Sequence, residues 1–594
     1  MRAANNHTWG PKLHADGSAT FDIWAPALPS LAVEISEKIY PMSPIGGSWY
    51  SVTVKGVKSD STYLYVLPDG SRVPDPAPRF QPHGVFGPSR LWDHKAFGWT
   101  QNHWTGRPWE EHVFYEIHIG AFTAEGTFVA ALEHLPRLAE MGFTAVEIMP
   151  LAQFPGERGW GYDGVFPYAP HNAYGSPDDF KCFVDAAHRC GLAVYLDVVY
   201  NHFGPEGNVL PQLAPDFFQA DNPTPWGDRI DFGQDAVRRF FLDNVIYWIE
   251  AFCLDGLRLD AVDQIEDARD LHILQEISDA VRERFSERHV HLIVENPANG
   301  TDLLATHHEG RRLYDADWND EFHHAVHVAV TGEASGHYEP FADAPFANIK
   351  KALAEGYLHE GKRTLPIEPS PSASLPPTAF VHFLQNHDQV GNRACGDRLH
   401  TAIDKHRFRV LTEILVLSPQ IPLFFMGDDH LSNRPFHFFS DYEGEIAEAI
   451  KANRPREAEN FGGFPPGVRP EDIADPNDRA TFTRSKIAWD QTHTPEVSDW
   501  KILLAVLLAV RKKHVLPCLT GAEGYAGTVI PSEDSLIFID WRMPGRMLRL
   551  RANLSQEPRD LDARLGQLVY ATGSHTHGNS LEAWSTRLYI QPPA

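Results

Sequence analysis

The stretch "DGLRLDAVDQIED", residues 255–267, places two opposite charges inside an apolar run. Successive side chains of a strand point to opposite faces, so Arg258 and Asp260 share one face while Leu257 and Leu259 share the other. A strand that is followed by a helical pattern indicates a parallel sheet, whose strands are normally covered on both sides. A buried Arg–Asp pair is costly unless it is hydrogen-bonded, so these residues form either a structural ion pair or part of a functional site.

Runs of the same kind recur along the chain and alternate with helical patterns. They are "HVFYEIHIG" (112–120), "AVEIMP" (145–150), "AVYLDVVYNH" (193–202), "GLRLDAVD" (256–263), "HLIVEN" (291–296), "LYDADW" (313–318), "FVHFLQNHD" (380–388) and "PLFFMGDD" (422–429). Several intervening segments have apolar residues at three- and four-residue spacing, the period of an amphipathic helix. Eight strands that alternate with helices predict an α/β fold with a (β/α)₈ TIM barrel, because a doubly wound sheet usually has fewer strands.

The two ends of the chain have a different pattern. Before about residue 93 and after about residue 515, short alternating runs are separated by Pro and Gly turns, which predicts strands without helices. We therefore predict an N-terminal β-sandwich of immunoglobulin-like type at 1–93, the (β/α)₈ barrel at 94–514 and a C-terminal β domain at 515–594.

Composition limits the partners that this chain can have. The 594 residues include 52 Lys and Arg against 79 Asp and Glu, a net charge of −27. Such a chain repels phosphate backbones, so we expect no nucleic acid partner and a neutral ligand instead. No window approaches 18 uninterrupted apolar residues, so no membrane partner is expected. The five cysteines lack CxxC spacing, which favours reduced thiols in a cytoplasmic protein over disulfides or a zinc site.

Polar side chains collect where the predicted barrel strands end, and this edge of a TIM barrel is where active sites lie. They are Asn201 and His202 on the third strand, Arg258 and Asp260 on the fourth, Glu295 on the fifth, and Asn386, His387 and Asp388 on the seventh. Each of them alone could be a helix cap or an ordinary loop residue. Carboxylates that recur on three strands of one barrel indicate a shared site.

Most glycoside hydrolases use two carboxyl groups that face each other across the substrate pocket. Arg258 favours the anionic form of Asp260, which suits a nucleophile that attacks an anomeric carbon. Glu295 ends an apolar run with no cation beside it in the sequence, which suits a protonated acid. We expect the two carboxyl groups to lie roughly 5–5.5 Å apart, the separation that goes with retention of configuration.

Four of these stretches, "DVVYNH", "GLRLDAVD", "LIVEN" and "FLQNHD", resemble the four sequence regions of the alpha-amylase family of glycoside hydrolases, in the same order and on the corresponding strands. The resemblance implies that Asp260 is the nucleophile, Glu295 the general acid/base and Asp388 a third carboxylate that grips sugar hydroxyls. It also implies no organic cofactor and a sugar subsite that includes Tyr162, His202, Arg258 and His387. No metal site is expected.

Longer stretches, including "YEIHIGAFTAEGTF", "VVYNHFGPEGN" and "FLQNHDQVGNRACGDRL", resemble a subgroup of that family. Its members cut the α-1,4 bond next to the terminal trehalose unit of maltooligosyltrehalose, which implies an α-glucan substrate. This chain departs from the subgroup at Asp263 and Asn296, and we expect both, with Trp226, on the aglycone side. Asp263 could instead cap the following helix.

Two other functions remain open at this point. One is a different amylase-family hydrolase or transglycosylase, such as a branching enzyme, in which a sugar rather than water attacks the glycosyl-enzyme. The other is a catalytically silent glucan-binding protein, which we would expect to lack Asp260 or Glu295. Both carboxylates are present in this chain. The sequence carries no signal for the oligomeric state.

Overall fold

The computed structural model describes residues 8–307, 310–491, 494–561, 565–572 and 580–591. The chain divides into two compact units. The first comprises Met1–Gly106, Glu125–Leu135 and Ile148–Val290, and the second comprises Arg107–Ala124, Pro136–Glu147 and His291–Ala594.

Eight strands form one closed barrel, in which neighbours follow the order of the chain. They are β1 (Phe114–Ile117), β2 (Ala145–Ile148), β3 (Ala193–Val198), β4 (Gly256–Leu259), β5 (His291–Val294), β6 (Ala316–Trp318), β7 (Phe380–Phe383) and β8 (Ile421–Phe425). β8 pairs in parallel with β1, which closes the ring. Seven of the eight predicted runs contain a whole strand, and the last, 422–429, contains β8 except for its first residue, Ile421. The predicted TIM barrel is therefore confirmed.

Five charged side chains interrupt the apolar barrel strands. They are Glu116 on β1, Glu147 on β2, Asp197 on β3, Arg258 on β4 and Asp317 on β6, and all are buried. Strands that are covered on both faces normally read as continuous apolar runs. A charge in such a strand must find a partner there, and the register of β3 and β4 places Asp197 directly opposite Arg258.

In the described residues, α-helices follow seven of the eight barrel strands. They are Phe128–Leu132 and Leu135–Met141 after β1, Pro177–Arg189 after β2, Asp235–Ala251 after β3, Ile273–Arg284 after β4, Asp320–Thr331 and Pro345–Glu355 after β6, Lys405–Leu417 after β7, and Gly444–Asn460, Arg479–Ser485 and Pro495–Val510 after β8. Shorter helical segments are Ile119–Phe122, Leu210–Leu213, His387–Gly391 and Leu399–Ala402. After β5 the structure has the one-turn 3₁₀ helix Thr301–Leu304.

The helix Pro177–Arg189 shows how the sequence sets these boundaries. Ser176 accepts a hydrogen bond from the Asp179 backbone, and the Asp179 side chain accepts one from the Ser176 backbone. This capping box satisfies donors that the first helical turn leaves unpaired, and Pro177 fits the first position because its missing N–H is not needed there.

Two antiparallel sheets precede the barrel. One contains Lys12–Leu13, Ser18–Trp24, Trp49–Lys55 and Ser43–Gly46, and the other contains Lys38–Pro41, Ala32–Ile35, Thr62–Val66, Arg72–Val73 and Ser89–Arg90. Their inner faces meet where the rings of Phe21 and Tyr63 lie 5.0 Å apart. This is the predicted β-sandwich.

The C-terminal region is also built from strands, as predicted. A five-stranded sheet contains Gly527–Val529, Leu536–Met543, Arg546–Asn553, Ser585–Gln591 and Gln567–Ala571. The short strands Arg559–Asp560 and Ser580–Leu581 pair beside it. The domain boundaries at 93 and 514 stay predictions.

Candidate active site

Arg258 connects two carboxylates at the end of β4. Its Nη1 donates to Asp197 Oδ2 at 2.7 Å and to Asp260 Oδ1 at 2.8 Å. The guanidinium is completely buried, whereas the Asp260 side chain keeps 13% of its surface exposed. Arg258 and Asp260, which share one face of the strand, therefore form an ion pair. Of the two side chains, only that of Asp260 remains accessible to solvent.

A second donor holds the other oxygen of Asp260. Asn201 Nδ2, from the loop after β3, donates to Asp260 Oδ2 and to the Asp260 main-chain oxygen, each at 3.0 Å. The next residue, Ala261, has a φ of +41°, a left-handed conformation that is uncommon for residues other than glycine. Backbone strain of this kind concentrates at functional sites. The carboxylate of Asp260 is thus held by Arg258 on β4 and by Asn201 in the loop after β3.

Tyr162 reaches the same cluster through Asp197. Its hydroxyl donates to Asp197 Oδ2 at 2.6 Å. Tyr162 follows Gly161, whose φ is +103° and whose Cβ would lie 2.1 Å from the carbonyl oxygen of Pro150. Only glycine fits this position, so the local backbone directs Tyr162 towards the cluster.

His202 and Trp226 form a pair beside this cluster. The rings stack with centroids 5.3 Å apart, and Trp226, at the turn between the strands Phe218–Thr224 and Gly227–Ile230, is half exposed. The His202 ring is hydrogen-bonded to the Asn201 side-chain oxygen. Burial lowers the pKa of His202 to about 4, so the ring is neutral at neutral pH. A neutral imidazole and an exposed indole suit an uncharged ligand.

Glu295 and Asn296 follow β5. Glu295 is partly buried, and the buried Asn296 donates its backbone N–H to Asp317 Oδ1 at 3.1 Å. Asp317 also accepts from the Tyr357 hydroxyl. Burial raises the pKa of Asp317 well above its ordinary value, and the nearby Glu295 carboxyl acts in the same direction. Asn296 Oδ1 has no hydrogen-bond partner among the residues described.

His387 and Asp388 begin the short helix after β7. His387 is hydrogen-bonded to both oxygens of Glu116, through Nδ1 at 2.5 Å and through its backbone N–H at 3.1 Å. This leaves His387 Nε2 directed towards Asp388, whose Oδ2 lies 3.5 Å away. The Asp388 backbone N–H donates to Asn386 Oδ1, and Asn392 Nδ2 donates to Asp388 Oδ1. Asp388 is partly exposed, so its carboxylate is positioned and accessible.

Asp263 does not cap a helix in the part of the chain that the structure describes. It lies within the 3₁₀ helix Val262–Gln264, and the next helix, Ile273–Arg284, is capped by His272. Asp263 Oδ2 accepts from Gln264 Nε2 at 2.7 Å, while its buried Oδ1 has no hydrogen-bond partner in the described region. Burial raises the pKa of this carboxyl.

The predicted residues fall into one set in each compact unit. The first unit holds Tyr162, His202, Trp226, Arg258, Asp260 and Asp263, and the second holds Glu295, Asn296, His387 and Asp388. Hydrogen bonds connect Tyr162, Arg258 and Asp260 through Asp197, and Asn201 connects Asp260 to His202. The separation of the Asp260 and Glu295 carboxyl groups stays a prediction.

Three buried acids that support these residues were not predicted from the sequence. Asp197 binds Arg258 and Tyr162, Glu116 binds His387, and Asp317 binds the backbone after Glu295. Asp197 and Glu116 are the only acids in the runs "AVYLDVV" and "FYEIHI", whereas Asp317 shares "LYDADW" with Asp315. An acid in a strand that is covered on both faces is the signal that could have found them.

No group of three or more His, Cys, Asp or Glu side chains that could hold a metal ion occurs within the described ranges. None of the helices described is long and apolar enough to cross a membrane.

Comparisons with known proteins agree with this architecture. A family model of the alpha amylase catalytic domain matches residues 93–216, and one of a domain of unknown function, DUF3459, matches residues 524–588. A crystal structure from Salmonella typhimurium, provisionally described as an alpha amylase, is 44% identical with a TM-score of 0.92, over 98% of this chain and 99% of that one.

Curated relatives give a narrower family. The malto-oligosyltrehalose trehalohydrolase of Saccharolobus solfataricus is 39% identical over 86% of this chain and 88% of that protein. The enzyme of the same name from Deinococcus radiodurans is 39% identical over 83% of this chain and 81% of that protein. With such identity over most of both chains, this protein belongs to the malto-oligosyltrehalose trehalohydrolase family, within the alpha-amylase family of glycoside hydrolases.

Proposed function

We propose that the protein is a retaining glycoside hydrolase that cleaves the α-1,4-glucosidic bond next to the terminal trehalose unit of maltooligosyltrehalose and releases trehalose. The observation that carries the proposal is the carboxylate of Asp260, which is held by Arg258 and Asn201 and remains partly exposed at the end of β4. The names of the curated relatives support the substrate.

The chemistry follows from two carboxyl groups with different tasks. Asp260 attacks the anomeric carbon of the glucosyl unit before the trehalose, while Glu295 protonates the glycosidic oxygen and trehalose leaves. Water then attacks the glycosyl-aspartate ester and gives a proton to Glu295, which frees the α-configured oligosaccharide and restores Asp260. Arg258 favours the anionic nucleophile because its guanidinium is fixed 2.8 Å from Oδ1.

The remaining predicted residues bind the sugar. Asp388 accepts hydrogen bonds from hydroxyl groups of the reacting ring. His387 lies next to Asp388 and is oriented by its hydrogen bond to Glu116. Tyr162 and His202 line the same subsite, and Tyr162 stacks on the ring. On the aglycone side, Asp263 and Asn296 each carry a buried oxygen that has no partner in the residues described. Acceptors of this kind suit the hydroxyl-rich trehalose, because a ligand that leaves them unpaired is penalised.

Product analysis tests the proposal. The protein is incubated separately with maltooligosyltrehalose and with a plain maltooligosaccharide of the same length, with Asp260→Asn as the inactive control. We expect free trehalose and a shortened maltooligosaccharide from the first substrate, and much slower cleavage of the second. Longer or branched glucans would instead indicate a transferase, and no reaction with either substrate would indicate a binding protein.

A further inference from the structure

Phe86 is the most exposed large apolar side chain in the described residues, with 71% of its surface in solvent. It lies in the loop between the strands Arg72–Val73 and Ser89–Arg90. A single exposed apolar residue is ordinary on a protein surface and carries no meaning alone. Two features set Phe86 apart: hydrogen bonds hold the backbone of its loop, and this loop contacts the loop after β3.

One buried side chain fixes the backbone on both sides of Phe86. Gln81 is completely buried, and its Nε2 donates to the carbonyl oxygens of Gly84 at 3.0 Å and Gly87 at 2.6 Å. Gln81 Oε1 in turn accepts from the buried Ser89 hydroxyl at 3.0 Å. A satisfied buried polar network of this kind makes a loop rigid. The exposed ring is therefore presented on an ordered backbone.

The neighbouring residue attaches this loop to the active-site side of the barrel. Val85 is buried, and a Cβ on Gly207 would lie 2.5 Å from Val85 Cγ2, so the two segments are in close contact. Gly207 belongs to the loop after β3, six positions beyond Asn201, which binds Asp260. Six residues span at most about 20 Å, so Phe86 is within reach of an oligosaccharide whose reacting ring lies at Asp260.

The chemistry of an exposed phenyl ring matches one face of a glucosyl unit. A pyranose carries hydroxyl groups around its rim and C–H groups on its faces. When an aromatic ring stacks on such a face, the apolar surface of the sugar and that of the ring are both removed from water. Phe86 has no polar atom, which suits this face, and a loop that is already ordered loses little entropy on binding. The net charge of −27 also favours an uncharged sugar over an anion at this surface.

We propose that Phe86 forms a remote sugar subsite of the substrate-binding cleft, where it stacks on a glucosyl unit several units from the bond that is cut. The proposal rests on the proposed function, in which the aglycone is trehalose alone. Any more distant unit therefore belongs to the maltooligosyl part of the substrate. A fixed subsite of this kind binds only substrates that are long enough to reach it, so its effect depends on chain length.

Kinetics with two substrate lengths test this inference. Phe86→Ala is expected to raise KM for maltohexaosyltrehalose about fivefold, because an apolar contact with the substrate is lost. KM for maltosyltrehalose, which is too short to reach Phe86, is expected to stay unchanged. Phe86→Trp is expected to keep the wild-type KM for both. Tyr525→Ala, which removes an aromatic side chain that is 59% exposed near the C-terminal sheet, is the matched control and is expected to change neither KM.

A binding measurement separates this inference from the proposed function. Calorimetric titration of maltoheptaose into Asp260→Asn, with and without Phe86→Ala, requires neither turnover nor trehalose. About fivefold weaker binding in the double variant is expected. Equal binding by the two proteins, or a KM that rises equally for short and long substrates, would overturn the role of Phe86. Failure of the wild type to release trehalose would overturn the proposed function and leave the binding result interpretable.

Discussion

Arg258 donates through a single nitrogen to Asp197 and Asp260, although it is completely buried. Buried ion pairs are weak contributors to stability, because desolvation offsets much of the attraction. A structural role alone therefore gives little reason for two charges on one strand. The arrangement is explained when one of the carboxylates must stay charged, oriented and reachable from the cleft.

Asp263 allows a test of specificity at the level of one atom. Asp263→Ala removes a buried acceptor, so we expect kcat/KM for maltooligosyltrehalose to fall about tenfold, with little change for plain maltooligosaccharides. Asp263→Asn keeps an acceptor at the same place and is expected to lose less. Steady-state kinetics on both substrates provide the measurement. Equal losses on the two substrates would remove Asp263 from trehalose recognition.

At the scale of elements, the loop that carries Tyr162 depends on a glycine. Gly161→Ala would place a Cβ 2.1 Å from the Pro150 carbonyl oxygen at a φ of +103°, so the backbone must shift there. We expect this shift to break the hydrogen bond from Tyr162 to Asp197. We expect kcat/KM to fall at least about tenfold, because a displaced Tyr162 would no longer be oriented to stack on the sugar ring.

Gly17→Ala is the matched control for this loop. Gly17 has a φ of +77° and nothing within 4 Å of an added Cβ, so this variant keeps the backbone cost without the clash. That cost is about 1–2 kcal/mol. Activity and thermal unfolding of both variants provide the comparison. A fully active Gly161→Ala protein would show that the position of Tyr162 does not matter.

Strand β7 contains a histidine that links stability to pH. Burial lowers the pKa of His382 to about 3, so the folded state keeps this ring neutral while the unfolded state protonates it near its usual value. Stability is therefore lost as pH falls below about 6.5, and between pH 7 and 5 this one residue accounts for about 2 kcal/mol.

His382→Gln tests this linkage because it cannot take up the proton. The fall in unfolding midpoint between neutral and acid pH is expected to be smaller in the variant than in the wild type, and comparing the two proteins cancels the contributions of other groups. An equal fall in both proteins would contradict the neutral, buried state of His382.

The sequence was most informative where a pattern is local. Alternation of strands and helices predicted all eight barrel strands, and the carboxylates at strand ends were visible as departures from apolar runs. The bond from Tyr162 to Asp197 was not predictable in the same way, because it depends on a loop glycine and on the position of Asp197 in β3. The rigid loop around Phe86 likewise depends on which carbonyls Gln81 meets once the chain is folded.

At the scale of the whole molecule, the net charge of −27 allows a prediction about how substrate association depends on salt. A neutral glucan gains nothing from electrostatic steering, so we expect kcat/KM to change less than about twofold between about 0.02 and 0.5 M NaCl. Initial rates over this range, with a second neutral salt to exclude ion-specific effects, provide the measurement. A steep fall with salt would point to a charged ligand instead.

The most direct test of the central claim is to trap the covalent intermediate. Glu295→Gln is mixed with α-maltosyl fluoride, whose leaving group needs little acid assistance, so the first step proceeds while the loss of the base slows the second. Mass spectrometry of the digested protein is expected to find a maltosyl group esterified to Asp260. A label on another residue, or turnover of the fluoride with no label in rapidly quenched samples, would contradict the assignment of Asp260 as the nucleophile.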